Sequence, residues 1–253
     1  MYRFLLTRRW VGLAAVVLIL VPAFLLLSRW QWHRHLQRAA FNSAVMDSQR
    51  APTVPLLSLL SARVQPSDAA ALPKSMEWRN VTVSGRYLPV ERPYVRRRTL
   101  NMADGFWVLA ELKLDSGAIL VVNRGWTPAR GGPSASPQIA PPPAGEVSLT
   151  GHLRSPELAR GTIPADTPHD QTLSVDVAAL TPSGTPGFAA YLELAVSQPT
   201  DLGGLTPIPL PALDAGPHLA YAVEWVLFAL LAIGGFVLLA MKEAKLPESP
   251  KQS

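Results

Sequence analysis

Cysteine is absent from the 253 residues of this chain. Its absence excludes disulfide-stabilised domains, iron–sulfur clusters, zinc sites built on thiolates, and catalysis by a thiol nucleophile. Charged residues are also scarce, because they make up 16% of the chain, whereas soluble domains contain about 25%. Hydrophobic residues make up 48%, so part of the protein is expected to lie outside water.

Common enzyme signatures are missing as well. The chain contains no HExxH, GxSxG, P-loop, GxGxxG or EF-hand sequence. His169 lies beside Asp166 and Asp170, but no candidate nucleophile stands at a recognisable spacing from them. A solvated surface histidine is therefore the favoured interpretation there, with metal binding as the minor alternative. The sequence predicts a protein that is not an enzyme.

Two long apolar runs lie near the ends of the chain. Trp10–Leu27 has no charged residue, and Leu219–Ala240 has one, Glu224. As helices rising about 1.5 Å per residue, both can cross a hydrocarbon layer of about 30 Å. A cleaved signal peptide is the alternative for the first run, because arginines precede it, but no A-x-A-like cleavage site follows it.

Basic residues predict the partner class and the orientation. The net charge of +5 indicates a membrane rather than nucleic acid, because the basic residues are spread along the chain. Lysines and arginines flank the outer ends of the two runs, so both termini are expected on the cytoplasmic side of the cell membrane. The expected order is a cytoplasmic N-terminus (1–9), transmembrane helix (10–30), external domain (31–217), transmembrane helix (218–240) and cytoplasmic tail (241–253).

The external segment carries β-strand signals from about residue 77 onward. Phe106–Leu114 and Ala118–Arg124, joined by a turn that contains Gly117, form the strongest predicted hairpin. Residues 31–50 lack proline and glycine, so the first membrane helix is expected to continue past the surface. We therefore expect an α+β membrane protein: two transmembrane helices flanking an external antiparallel β domain, either a small barrel or a sandwich.

His218 opens the second apolar run. At about 100° per residue, His218, Tyr221 and Trp225 fall on one face of a helix. An interfacial aromatic belt is one interpretation of this face, and a haem site is the other, because neutral imidazole is a common axial ligand of haem iron. An outward first helix would bring four further rings to the same membrane surface: Trp30, Trp32, His33 and His35.

Three motifs follow one another along nearly the whole chain. They are Trp30-Gln31 with Arg34, Val121-Val122-Asn123-Arg124-Gly125-Trp126, and His218-x-x-Tyr221-Ala222-x-x-Trp225. In this order and topology the chain resembles the surfeit locus protein 1 family of cytochrome c oxidase assembly factors. The resemblance implies a respiratory-chain chaperone that contacts oxidase subunits and other assembly factors and holds haem a transiently.

The resemblance also implies a site. His218 is expected to be the ligand of the haem iron, and the other expected haem contacts are Tyr221, Trp225, His33 and Trp30. A second axial ligand would come from His33 or His35. A scaffold that stabilises an oxidase assembly intermediate without haem is the alternative function, and a membrane-anchored sensor or external enzyme is disfavoured.

Partner contacts are expected at Arg124, Trp126, Gln31 and Arg34. Arg124 beside Trp126 offers a cation next to an aromatic face, although a strand end with a packed tryptophan is the alternative. Asn123 and Gly125 suit positive φ. The run 96–98, three arginines, either adds charge to this surface or is a solvated strand edge.

Glu224 departs from the family pattern, in which an uncharged residue is usual at this position. It lies about 9 Å inside the second helix, where an unpaired charge is costly. We expect Glu224 to be protonated, paired or placed in a polar cleft, with Arg29 or Arg34 as its partner.

Overall fold

The computed structural model describes residues 3–64, 72–89, 93–131, 135–157, 167–201 and 203–245. Most of the expected cytoplasmic tail, residues 246–253, lies outside the described residues, as does Asp166. The chain forms two compact units, one made of Met1–Ser43 with Ala212–Ser253 and the other of Ala44–Pro211.

The described residues contain three α-helices and eight strands. In chain order these are α1 (Arg8–Arg50), β1 (Val54–Pro55), β2 (Asn80–Tyr87), β3 (Tyr94–Leu100), β4 (Ala103–Lys113), β5 (Ile119–Pro128), β6 (Glu146–Arg154), β7 (Gln171–Thr172), α2 (Val177–Leu180), β8 (Gly187–Gln198) and α3 (His218–Ala244). Helix α1 runs through Pro22 and continues to Arg50, so the expected extension of the first helix is confirmed.

Helices α1 and α3 are both long and apolar enough to cross a membrane. They contact one another along a seam: the Trp10 ring lies 5.6 Å from Phe236, the Phe24 ring lies 5.6 Å from Trp225, and Ser28 Oγ donates to the Ala222 carbonyl at 2.8 Å. Residue numbers rise along α1 as they fall along α3, so the helices are antiparallel. Their outer faces expose leucine, isoleucine and valine, as helices in lipid do.

The seam has coiled-coil spacing. In α1 its half-buried or buried positions recur at alternating steps of four and three residues, for example Phe24, Ser28, Gln31 and His35. In α3 the fully buried positions are small, Ala222 and Ala229, which lets the two backbones approach closely. This regular spacing decides which polar side chains of α1 can meet α3.

The strands form one mixed sheet in the order β1-β2-β6-β8-β5-β4-β3-β7. The predicted α+β architecture, with two apolar helices flanking a β domain, is confirmed. The expectation of an antiparallel barrel or sandwich needs correction, because β5 pairs with β8 in parallel and so do β1 with β2 and β3 with β7. An additional pairing of β2 with β4 curls the sheet, but it joins only two residue pairs and does not make a barrel.

The strands at the centre of this sheet are buried on both faces. In β5, Leu120 and Val122 belong to the larger apolar cluster, whereas Val121 between them belongs to the smaller one. In β8, Leu192 and Tyr191 divide in the same way. Burial on both faces explains why this part of the sequence is continuously apolar instead of alternating.

The predicted hairpin is confirmed, since β4 and β5 pair from Lys113 with Ile119 onward and Gly117 turns with φ of +83°. The strand is longer than expected, however. Because β5 extends to Pro128, the motif that contains Arg124 and Trp126 lies within the strand and not at its end.

Candidate functional site

The imidazole of His218 lies on the seam between α3 and α1. Its Nδ1 is 2.9 Å from Oε1 of Gln31. Because an amide oxygen can only accept, Nδ1 must carry the proton, and the lone pair of the neutral ring is then on Nε2. The bond therefore fixes both the orientation of the ring and its tautomer, and it leaves Nε2 as the atom that can bind a ligand.

Gly216 borders the other edge of the same ring. A Cβ at this position would lie 3.1 Å from Cδ2 and 3.4 Å from Nε2 of His218. Gly216 also has φ of +62°, a conformation that glycine adopts without strain. Glycine thus places no side chain of its own against the Nε2 edge. Sequence reasoning missed Gly216, although a Gly-Pro pair directly before a helix is a recognisable signal of a special backbone turn.

The segment before α3 is tied to α1 by hydrogen bonds to Asp214. The carbonyl of Asp214 accepts from Arg38 Nε at 3.1 Å and from Asn42 Nδ2 at 2.8 Å. The Asp214 carboxylate also pairs with Arg38 at 3.3 Å. These contacts position the backbone that contains Gly216 and so hold it beside the imidazole.

The aromatic face predicted on α3 divides in two. The ring of Trp225 stacks on Phe24 at 5.6 Å and meets Phe228 edge-on at 5.7 Å, within the seam. Tyr221 lies beside the seam and is 45% exposed. A ligand on Nε2 of His218 would therefore find Tyr221 accessible and Trp225 already packed.

Of the residues predicted on α1, Gln31 makes the contact with His218. Trp30 is 52% exposed and lies under the guanidinium of Arg34, 5.7 Å from the ring centre. His33 is exposed, and its Nδ1 donates to the carbonyl of Arg29 in its own helix at 2.8 Å. Trp30 and His33 lie about 100° and 200° around the helix from Gln31, so they point away from α3.

The expected convergence of the first-helix histidines is thus not found for His33, and its role and that of Trp30 as haem contacts stay predictions. His35, one turn after Gln31, is the histidine on the seam. It is half-buried, and its Nδ1 has no hydrogen-bond partner among the described residues.

Glu224 lies on the outer side of α3 and is exposed. Neither Arg29 nor Arg34 pairs with it in the described part of the chain, so the expected arginine partner from α1 is wrong. The reason is angular: Glu224 follows the buried Ala222 by two residues, about 200° around the helix.

Arg124 makes a buried ion pair in the β unit. Its Nε and Nη2 donate to the two carboxylate oxygens of Asp201, each at 2.7 Å, and Nη2 also donates to the Ala140 carbonyl at 3.1 Å. The two side chains are 3% and 11% exposed. Burial, and secondly the charge of Asp201, raises the pKa of the nearby Tyr87 hydroxyl. Arg124 thus fastens β5 to the segment after β8.

A β-bulge places Arg124 in this position. Val108 pairs with Gly125 and Leu109 with Asn123, so Arg124 has no partner in β4. Gly125 has φ of +143°, as expected, but Asn123 does not have positive φ and instead accepts the N–H of Gly125 on Oδ1 at 3.2 Å.

Trp126 packs inside the same unit. Its Nε1 donates to the carbonyl of Arg98 at 2.7 Å, and its ring covers Gly105, where a Cβ would lie 2.5 Å from ring atoms. The cation–π pair found here joins Arg98 and Trp107 at 3.9 Å, not Arg124 and Trp126. The role of Arg124 and Trp126 as partner contacts stays a prediction, and their burial favours the packed-tryptophan alternative.

Comparison with known proteins gives one consistent result. Residues 18–230 match the SURF1 family. Uncharacterized SURF1-like proteins of Mycobacterium bovis and Mycobacterium tuberculosis are 33% identical over 248 residues, which cover 96% of this chain and 87% of theirs. A SURF1-like protein of Monosiga brevicollis is 28% identical over 208 residues, covering 74% of this chain and 77% of its own.

Proposed function

The chain belongs to the SURF1 family, which is linked to oxidase assembly, and on that premise we propose an assembly factor for haem-copper cytochrome c oxidase that binds haem a transiently and aids its insertion into the catalytic subunit. The observation that carries the haem proposal is the presentation of His218. Its Nδ1 donates to the Gln31 amide oxygen, and Gly216 places no side chain against the Nε2 edge.

The donor set fits haem iron. A neutral imidazole whose second ring N–H donates to a fixed acceptor is the usual arrangement of a metal-bound histidine. The position suits an amphiphilic macrocycle, because His218 begins an apolar helix that packs against a second apolar helix, and Tyr221, one turn later on α3, is 45% exposed. A single imidazole with an accessible flank also suits temporary holding, in which the chain keeps the cofactor out of water until it is transferred.

The test is an absorbance spectrum of the full chain purified from cells that make haem a. We expect the purified chain to show the spectrum of haem a. In a second experiment, membranes of a deletion strain should lose haem a absorbance and oxidase activity while keeping b-type haem. A haem-free protein in cells whose oxidase still depends on it would support the scaffold alternative. Normal oxidase activity in the deletion strain would contradict both functions.

We also propose that the protein lies in the cell membrane with both termini cytoplasmic and the β unit outside, because of the basic flanks of the two apolar helices. Green fluorescent protein, which does not mature after export in unfolded form, should fluoresce when fused after Ser253. It should not fluoresce when inserted in the turn at Gly117. The reversed pattern would place the β unit in the cytoplasm.

Gln31→Leu removes the acceptor of the Nδ1 proton, so the His218 ring should no longer be restricted to one tautomer. Nitrogen-15 NMR of the histidine-labelled full chain should show protonated Nδ1 in the wild type and a growing Nε2-protonated population in the variant. Because outer-shell partners of metal ligands contribute about 10- to 100-fold to metal affinity, haem binding should weaken by at least about 10-fold. Gln37→Leu, an exposed change on the same helix, is the matched control. An unchanged tautomer in Gln31→Leu would refute the positioning role of Gln31. It would leave the proposed assembly function unaffected.

A further inference from the structure

Backbone strain is concentrated in the hairpin formed by β3 and β4. Among the described residues, four that are not glycine have φ between about +50° and +65°, and three of them lie in this hairpin: Arg97 at +59°, Asn101 at +51° and Met102 at +62°. Asparagine tolerates this region, but for most residues it costs about 1–2 kcal/mol. Strain of this kind is retained where the surrounding structure enforces it, often at functional sites.

The strain at Arg97 belongs to a β-bulge. Val95 pairs with Trp107 and Arg98 with Gly105, so Arg96 and Arg97 together oppose one residue of β4. Glycine is the residue that adopts a left-handed backbone with the least strain. Here an arginine occupies it, so the bulge presents a long cationic side chain where a glycine would fit with less strain.

Contacts of Arg98, the residue after Arg97, hold the bulge in place. The indole N–H of Trp126 donates to the carbonyl of Arg98 at 2.7 Å. The Arg98 side chain pairs with Glu157 and lies over Trp107. The Arg98 side chain is thus held by Glu157 and Trp107, whereas Arg96 and Arg97 form no ion pair or hydrogen bond with another residue that the structure describes.

Arg96 and Arg97 line a concavity of about 550 Å³, together with Thr99, Asp104, Phe106 and Ala129. Asp104 accepts a hydrogen bond from Thr99 Oγ1 at 3.0 Å. Two guanidinium groups against one carboxylate leave the lining cationic. Each guanidinium offers a planar fork of donors that matches a carboxylate.

We propose that this concavity docks an acidic segment of a partner polypeptide, whose carboxylates pair with Arg96 and Arg97. Its volume is large for a single inorganic anion, and Met102 at the tip of the hairpin is 99% exposed and offers an apolar contact that only a larger partner can use. Charged residues on a strand edge also prevent aggregation, but a regular strand would do so without strain at Arg97. The site goes beyond the proposed function and involves no haem.

The experiment measures charge-dependent binding to the full chain in neutral nanodiscs. The probes are two fluorescein-labelled ten-residue peptides, one alternating glutamate with glycine and the other lysine with glycine. The wild type should prefer the glutamate peptide. Arg96→Glu with Arg97→Glu should weaken that binding by at least about tenfold and reverse the preference, because like charges then face each other.

Two variants keep the result specific. Arg63→Glu with Arg86→Glu makes the same change of charge at exposed arginines outside the concavity and should alter binding by less than about twofold. Trp126→Phe removes the indole donor without changing charge and should weaken the glutamate peptide as well. Three results would each overturn the proposal. The two double variants could have equal effects, or micromolar inorganic phosphate could displace the peptide. Anionic vesicles could also bind more tightly than the glutamate peptide, in a way that depends on Arg96 and Arg97.

Discussion

His218→Ala is expected to abolish the haem a spectrum of the purified protein while the protein remains in the membrane at its normal level. The change removes the Nε2 atom that is proposed to bind the haem iron. The rest of the seam persists, including the stacking of Phe24 on Trp225 and the Trp10 contact with Phe236. Absorbance spectra and membrane protein levels, measured on one preparation, separate loss of ligand from loss of fold.

His33→Ala is the matched control, because this imidazole is exposed and bonded within its own helix. It should retain the spectrum. Retention of haem by the His218→Ala protein would instead move the ligand to α1, where His35 is the imidazole on the seam. The variant His35→Ala would then be expected to lose haem, which makes the two assignments experimentally distinct.

Arg124→Ala should destabilise the β unit by about 3–5 kcal/mol, because removing one partner of a buried ion pair leaves the other charge unpaired. The charge left behind is Asp201, whose side chain is 11% exposed. The free energy of unfolding can be measured by pulse proteolysis of the full chain in urea. Oxidase maturation should fall with the folded fraction, and not through a separate binding defect.

The Arg124 series has two controls. Arg124→Lys keeps the charge but loses the paired geometry, so its loss should be smaller than that of Arg124→Ala. Arg86→Ala, at an exposed position of β2, should change stability by less than about 0.5 kcal/mol. A loss below about 1 kcal/mol for Arg124→Ala, accompanied by a full loss of oxidase maturation, would restore the interpretation of Arg124 as a partner contact.

Local signals in the sequence were sufficient for the helices and for one hairpin. The two apolar runs and the proline-free residues 31–50 predicted α1 and α3, and the turn at Gly117 predicted the pairing of β4 with β5. The direction of β8 was not predictable in this way. A run buried on both faces has the same composition whichever way it points, and the long connection from β5 to β8 allows either direction.

The candidate site was predicted in part. His218 was identified from its place at the start of an apolar helix. Its neighbours on α1 were expected to be histidines and aromatic rings, whereas the structure shows a hydrogen bond to Gln31. Which residues of α1 face α3 depends on the rotation of the helix, and that is set by the seam as a whole. Asp201, 77 positions after Arg124, has no local signal at all, because a long-range ion pair leaves no periodicity in the sequence.

The hydrogen bond between Gln31 and His218 depends on the register of α1 against α3. Sliding α1 by one helical turn along α3 would move Gln31 about 5.4 Å, beyond hydrogen-bonding distance of the imidazole. Such a slide would exchange one set of seam contacts for the next, since the spacing repeats, while the imidazole would lose the acceptor that fixes its tautomer. A mechanical displacement of two membrane helices would thereby become a chemical change at a single nitrogen atom.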